Sequence, residues 1–319
     1  MNASYDNSAA VVVLPPVSGG RLQDQSLRAW LAQSDLQVEP DRTELLNRIS
    51  NVLGLPYPRE GLAALRMWGQ TGDRPTVWMA AADPVYLEPR LDHLCLHALR
   101  REVLPPSDLR MLFDHLQETL AEEKHSGFVR LGRFGYLRAE NPISTAAMPP
   151  DAIDGRVPSE FLPAGECAAD YRNLLSEIEM SLHDHEVNQR RIAAGQQPVN
   201  SLWIWGGGLA PERDMRLQPP LFSDDPLLLG YWESANAAAE LWPGSIADCF
   251  KAAAAGFVAV TPESEDDPAF LHECLLALRA ALREKQIDRL TILFRDGRRA
   301  AVRRSHSLRF WRRDSELLD

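Results

Sequence analysis

Lysine is nearly missing from this chain. Of its 34 basic residues only Lys124, Lys251 and Lys285 are lysine, and the rest are arginine. We read this as a bias of the source genome rather than as chemistry. Cysteine is scarce too. Cys95, Cys167, Cys249 and Cys274 are scattered with no CxxC pair, which fits reduced thiols better than a disulfide framework. No apolar run approaches the ~20 residues of a membrane span. Met1 to Ala10 lacks the charged n-region and long apolar core of a signal peptide. A cytoplasmic protein without a membrane segment is therefore expected. Net positive charge is absent as well. A formal charge of −11 argues against general nucleic-acid binding, which needs a basic face to displace counterions. GxSxG, GxGxxG and GK[ST] do not occur, and no cysteine has a plausible His/Asn context. The usual nucleophile and phosphate-loop signatures are thus missing.

What remains is an ordinary globular composition. The 319 residues are 45% hydrophobic and 25% charged, enough for one large or two ordinary domains. Val11–Leu14 reads as a buried strand stopped by Pro15-Pro16. Helical patterns follow near 26–33, 42–53 and 60–68. Thr76–Ala82 and Leu91–Ala98 read as strands, 107–123 as a helix with Leu109, Leu112, Phe113, Leu116 and Leu120 on one face, and 128–131 and 134–138 as strands. Residues 76–138 thus form a β–β–α–β–β unit suited to insertion in a larger fold. Proline, glycine and alanine crowd 140–166, a linker or wrapping loop. An amphipathic helix carries Tyr171, Leu174, Leu175, Ile178 and Leu182. After the strand that follows, helices at 226–241, 244–255 and 268–284 alternate with strands at 257–260 and 289–294. Asp296-Gly297 then turns into 299–304 as a hairpin. No internal repeat is visible. Such alternation predicts an α/β fold with a mostly parallel sheet flanked by helices. The expected division is an α/β core over 1–75 and 198–319, an inserted α+β subdomain over 76–138, and a Pro-rich linker with the amphipathic helix over 139–197.

Four stretches invite a chemical reading. In Pro198–Gly208, Trp203 and Trp205 alternate with Leu202 and Ile204 as in a buried strand, and Gly206, Gly207 and Gly208 let the backbone turn or approach something closely. A phosphate cradle would need a helix starting at once, so that its free N–H groups face the anion. Leu209-Ala210-Pro211 intervenes, which favours a tight structural turn. His93, Cys95 and His97 share one face of a strand and offer nitrogen and sulfur ligands of the kind zinc takes. A half-exposed strand shows the same pattern, and neighbours on one face rarely converge on one ion, so no metal site is expected. His183-Asp184-His185 ends the amphipathic helix, where a histidine suits the helix dipole. Asn188 and Arg190 beyond it could contact a ligand or simply close the helix. Finally, residues 295–313 hold eight arginines with Phe310 and Trp311 among them. They offer a surface for phosphate or an acidic partner, unless they pair with the acidic run Glu263–Asp267.

The segment Tyr171–Gly208, with its LLSEIEM helix and PVNSLWIWGGG strand, resembles a family of proteobacterial proteins labelled phosphoglycerate mutase or regulatory protein RpfE. Ala82–Leu87, Ser223–Pro226 and Arg309–Arg313 extend the resemblance over most of the chain. That family is similar in turn to cofactor-independent phosphoglycerate mutases of the alkaline phosphatase superfamily, which implies an alkaline-phosphatase-like α/β core with an inserted subdomain. The active mutases use two metals, held by an Asp after the first strand, an Asp-x-x-x-His pair and an Asp-His after a late strand, with a Ser or Thr nucleophile. Here the first strand runs into Pro15-Pro16. No Asp lies four residues before any His. Arg295-Asp296-Gly297 keeps only the Asp, and His306 stands near the place of the last metal histidine.

The resemblance therefore implies the fold without the catalysis: no catalytic residue, no cofactor and no metal. A binding or regulatory role is expected, with a cleft drawing on Asn200, Gly206, Gly207, Gly208, Asp225, Asp296 and His306. The expected ligand is a phosphorylated or acidic small molecule, or a protein partner at the Arg-rich C-terminus. The alternatives are a metal-dependent phosphoglycerate mutase or related phosphotransfer enzyme with rearranged ligands, and a structural partner in a protein complex through the Arg-rich C-terminus.

Overall fold

A computed structural model describes residues 9–39, 44–99, 104–121, 126–165 and 168–319. The beginning of the helix expected at 42, the last residues of the one expected to end at 123, and Cys167 lie outside these. Contacts divide the chain into two compact units, one holding the residues up to Tyr57 and from Glu212 onward, the other Pro58–Pro211.

The first unit begins with β1 (Ala9–Leu14), α1 (Gln25–Ala32), β2 (Asp35–Val38) and α2 (Leu45–Leu53). Asp24 caps α1, its carboxylate accepting from the Ser26 and Leu27 amides. The second unit contains α3 (Leu62–Thr71), β3 (Met79–Pro89), β4 (Leu94–Ala98), α4 (Pro106–Leu120), β5 (Ser126–Leu131), β6 (Phe134–Ala139), α5 (Ala168–His183), α6 (Glu186–Ala193) and β7 (Ser201–Gly208). The chain then completes the first unit with β8 (Leu221–Phe222), α7 (Pro226–Ser234), β9 (Ala239–Glu240), α8 (Ile246–Ala252), β10 (Gly256–Val260), α9 (Pro268–Arg283), β11 (Arg289–Phe294) and β12 (Arg298–Arg303).

The first unit is α/β. Its sheet runs β2-β12-β11-β1-β10-β8-β9. β1 pairs in parallel with both β10 and β11, and β8 in parallel with β10 and β9, while β12 turns back antiparallel to β11 and β2. β1 is Val-rich on both faces because both are covered. Ala10, Val12 and Leu14 join Leu27, Leu31, Cys249, Leu275, Leu278 and Ile292 in one core. Val11, Val13, Val258, Val260 and Leu293 on the opposite face are buried as well.

The second unit is built on an antiparallel sheet centred on β3. β7 lies along one edge of β3, and β6 and β4 follow each other along the other, with β5 beyond β6. The Trp strand thus belongs to this sheet and not to the core over 198–319, with Trp203 opposite Asp83. A doubly buried strand reads alike whether its partner is parallel or antiparallel, so its residues could not choose the sheet. The boundaries at 76 and 138 likewise fall inside one unit. Residues 62–71 and 201–208 pack onto the same sheet, Leu62 and Ala63 lying against Gly206. One expected helix also differs. α7 ends at Ser234 because Asn236 takes a left-handed φ of 52°, which frees Ala239–Glu240 to pair with β8. The histidine-rich stretch ends α5 at His183, as expected, and also opens a further helix: His185 caps α6 by accepting from the Val187 amide.

Candidate functional site

In parallel α/β sheets ligands bind beyond the carboxyl ends of the strands. Here those ends are Leu14, Phe222, Val260 and Phe294. Beyond β11, Asp296 turns its carboxylate onto the loop that follows β1. Its Oδ2 accepts from the Val17 and Ser18 amides at 2.9 Å each. Its Oδ1 accepts from the Arg298 amide at 3.2 Å, and the Arg298 guanidinium pairs with Oδ2 at 3.3 Å. Two consecutive amides converging on one oxygen form an anion site, and Asp296 is its anion.

Two arginines close the same edge. Buried Arg48 donates to the carbonyls of Phe294 (2.9 Å) and Arg298 (3.2 Å), and pairs with Glu39 at 2.6 Å. Arg295 donates to the Thr261 carbonyl (2.6 Å) and pairs with Glu263 at 3.2 Å. The Thr261 hydroxyl donates to the Val13 carbonyl, and the Arg295 amide to that of Leu14. Pro15 and Pro16 follow directly. A two-metal centre does not fit this donor set: among the described residues the Asp296 carboxylate is taken by the Val17, Ser18 and Arg298 amides, and those of Glu39 and Glu263 are paired with Arg48 and Arg295.

Nearby, a second acidic group was not foreseen. Glu44 is 6% exposed and caps α2, accepting from the Leu46 (2.7 Å) and Asn47 (2.9 Å) amides. Burial pushes its carboxyl up to about 7, helped by repulsion from Asp225. Tyr57 hydrogen-bonds Glu44, and burial beside that carboxylate raises the phenol. Asp225 caps α7, its Oδ1 accepting from Leu227 and Leu228. The two carboxyls use up the N–H groups that a phosphate would seek, and their charge opposes one. Only a Glu just before an apolar helix, an uncommon cap, hinted at Glu44.

The remaining predicted residues do not assemble. His306 is buried in the 3-10 turn after β12, 3.6 Å from Asp35. Because β12 runs antiparallel to β11, with Arg303 opposite Arg289, His306 lies at the other end of the sheet from Asp296. The intervening strand is ~16 Å long at 3.3 Å per residue. Burial, with nearby Arg309 adding repulsion, lowers its imidazole.

Gly206, Gly207 and Gly208 are packed into the second unit. The Gly206 amide donates to Ala146 O (2.9 Å), the Gly207 amide to Thr145 Oγ1 (2.9 Å), and Gly207 O accepts from Gly61 (3.1 Å). Gly206 has a φ of +63°, beside a bulge in the pairing with β3. A Cβ on Gly208 would lie 2.4 Å from Gly61 N. This is a packing joint with no cradle in it. Asn200 clamps β3, exchanging bonds with Leu87 N (2.7 Å) and Leu87 O (2.8 Å). Asn188 is buried on Leu182 O, Val199 O and Val199 N, which closes the helix pair.

Of the two readings of the arginine-rich segment, pairing with the acidic run holds only for Arg295 with Glu263. Arg304 pairs with Asp288 and Arg309 with Asp35. Among the described residues, one group of side chains has metal-ligand composition and closeness: Glu88, Cys95 and His97, in the second unit.

No family model matches the chain. Curated relatives do. The 2,3-bisphosphoglycerate-independent phosphoglycerate mutase of Methanosarcina barkeri is 33% identical over 107 residues, 33% of this chain and 27% of that protein. A probable 2,3-bisphosphoglycerate-independent phosphoglycerate mutase of Geobacter sulfurreducens is 39% identical over 103 residues, 32% of this chain and 26% of that protein. A third of the chain is distantly homologous to these mutases. The match spans about a quarter of their length. Among solved structures, a cofactor-independent phosphoglycerate mutase from Thermoplasma acidophilum aligns with a TM-score of 0.43 and 16% identity, covering 92% of this chain and 89% of that one. A Pyrococcus horikoshii protein aligns at 0.49 and 10% identity, covering 93% and 87%. No described helix is long and apolar enough to cross a membrane.

Proposed function

We propose that this protein is a non-catalytic relative of the phosphoglycerate mutases with a binding or regulatory role in the bacterial cytoplasm, in keeping with its resemblance to the RpfE-labelled proteins. The observation that carries this reading is the state of Asp296. It is the one acidic side chain retained from the mutase pattern at the carboxyl edge, and it serves as an internal anion for the Val17 and Ser18 amides. With Pro15-Pro16 beside it and Arg48 and Arg295 spent on backbone carbonyls, the edge is stitched shut. The test is a coupled assay of phosphoglycerate interconversion with Mg²⁺, Mn²⁺, Co²⁺ or Zn²⁺ added. No turnover above the protein-free blank is expected. Turnover that disappears in Asp296→Ala would overturn the reading in favour of a mutase with rearranged ligands.

A second reading, contact with an acidic protein partner, is favoured by the surface after β12. Leu308, Phe310 and Trp311 are 72%, 72% and 65% exposed among arginines. Removing residues 305–319 would not test it cleanly. Leu318 is buried, and the Asp319 carbonyl accepts from Gly19 at 3.0 Å. Phe310→Ser with Trp311→Ser leaves those anchors in place and should abolish partner capture. Unchanged capture sinks this reading.

A further inference from the structure

β3 and β4 bring three different donors to one face of their sheet. Glu88 stands opposite Cys95, and Tyr86 opposite His97, in the antiparallel register. Residues two apart share a face, so Glu88, Cys95 and His97 project together, away from buried Leu87 and Leu96. One ligand atom from each lies within 4.8 Å of the other two. His97 Nε2 is 2.7 Å from Glu88 Oε2. We propose that these residues form a binding site for a thiophilic divalent transition metal of the zinc class, ligated by Cys95 Sγ, His97 Nε2 and the Glu88 carboxylate, with water in the fourth place.

The donor set selects the metal. Thiolate and imidazole suit zinc and its neighbours, whereas magnesium and calcium need oxygen shells. The geometry is within reach. Tetrahedral zinc with bonds of about 2.0–2.3 Å sets its ligand atoms roughly 3.4–3.8 Å apart. Side-chain rotation would have to close the widest separation by at most ~1 Å and open the Glu88–His97 pair by roughly 0.7 Å. On binding, the Cys95 thiol gives its proton to solvent, and His97 presents an unprotonated Nε2 with its ring proton on Nδ1, so that the His97–Glu88 hydrogen bond is exchanged for one bond from each residue to the metal.

The frame is fixed around the site. The Leu96 amide donates to Arg156 O and Gly155 to Leu96 O, while Asn200 holds both polar groups of Leu87. The Tyr86 ring stacks on His97 at 5.9 Å and orients the imidazole. Arg90 pairs with Glu88 at 2.7 Å and is 53% exposed. It competes for the carboxylate, and its charge opposes a cation. His93 is engaged by Asp92 at 2.6 Å.

The test is a cobalt titration of the full chain, purified through chelator. One equivalent should bind, with a thiolate-to-cobalt charge-transfer band and the intense visible bands of four-coordinate cobalt, and Zn²⁺ should displace it. Cys95→Ser should remove the charge-transfer band. His97→Gln and Glu88→Gln should each weaken binding at least tenfold. Arg90→Gln should tighten it. Circular dichroism of each metal-free variant monitors the fold, and the two Gln variants decide the matter if Cys95→Ser does not fold. Absence of stoichiometric binding, or a band that survives Cys95→Ser, overturns the proposal. Turnover in the mutase assay would not touch it, since the site uses residues of the second unit only.

Discussion

If Asp296 is the internal anion of the first unit, its removal should be felt as lost stability. Asp296→Ala deletes two bonds of 2.9 Å from the Val17 and Ser18 amides, a third of 3.2 Å from the Arg298 amide, and the ion pair with Arg298. Hydrogen bonds to a charged group are worth about 1.5–3 kcal/mol each. The side chain is 12% exposed, so water replaces part of what is lost and the lower end applies. The two 2.9 Å bonds alone give ~3 kcal/mol, and the longer bond from the Arg298 amide and the ion pair with its guanidinium make this a lower bound. Asp296→Asn keeps one oxygen acceptor without the charge and should lose about half as much. Urea denaturation measures the totals. Amide hydrogen exchange at Val17 and Ser18 locates them, because both should lose protection in the Ala variant. A loss under ~0.5 kcal/mol with protection unchanged would refute the reasoning. The carboxylate would then be uncommitted and free to serve as a ligand.

Four further outcomes are expected. The Glu44 carboxyl, lifted from its ordinary 4.5 to about 7 in the fold, makes the native state hold a proton that the unfolded chain has released. Its contribution is intact below about pH 4.5 and is lost as pH rises to about 7, by roughly 3 kcal/mol. Glu44→Gln should flatten that part of the stability–pH curve, and matching curves would refute the assignment. Arg66 is buried, holds both oxygens of Asp83 at 2.8–2.9 Å and donates to Gly135 O. Arg66→Met or Asp83→Leu alone should cost ~3–5 kcal/mol, and the pair together less than the sum; strict additivity in chemical denaturation would argue against coupling. Trp203 is 1% exposed and donates to Met148 O, so Trp203→Ala should cost ~3–5 kcal/mol, and a loss below ~1 would contradict that burial. Burial lifts the Cys249 and Cys274 thiols to about 12, so alkylation mapped by mass spectrometry should reach them only on unfolding.

Much of the α/β character was legible because period and punctuation are local. β1, β10 and β11 read as short apolar runs, and α9 as a 3.6-residue stripe behind Asp267-Pro268. What was not legible depends on pairing. Nothing in Ser201–Gly208 states that its partner is β3. The segment Asp35–Val38 gives no strand signal until β12 returns beside it. Asp296 was singled out, but its partners Val17 and Ser18 lie some 280 positions away in sequence. His306 looked close to Asp296 in sequence, and a hairpin strand carried it to the far end of the sheet.

The glycine run and the Glu88–Cys95–His97 group make the same point from opposite sides. Three consecutive glycines after a strand advertise a cradle, yet their polar groups are consumed by Gly61, Thr145 and Ala146, and what they permit is the close approach of Gly61. His93, Cys95 and His97 look like an ordinary half-exposed strand, since residues of one strand spread along it and do not converge. The strand itself supplies only two of the three donors. The third, Glu88, comes from the neighbouring strand, and register alone places it opposite Cys95. A one-residue slip of β4 would turn Cys95 and His97 to the Leu face. The clamps on Leu87 and Leu96 that hold this register are therefore as necessary to the proposed site as its ligands. Asn200→Ala, which frees both polar groups of Leu87, should accordingly weaken cobalt binding although Asn200 touches no ligand atom. Unchanged affinity in that variant would show that the register is held without the clamp.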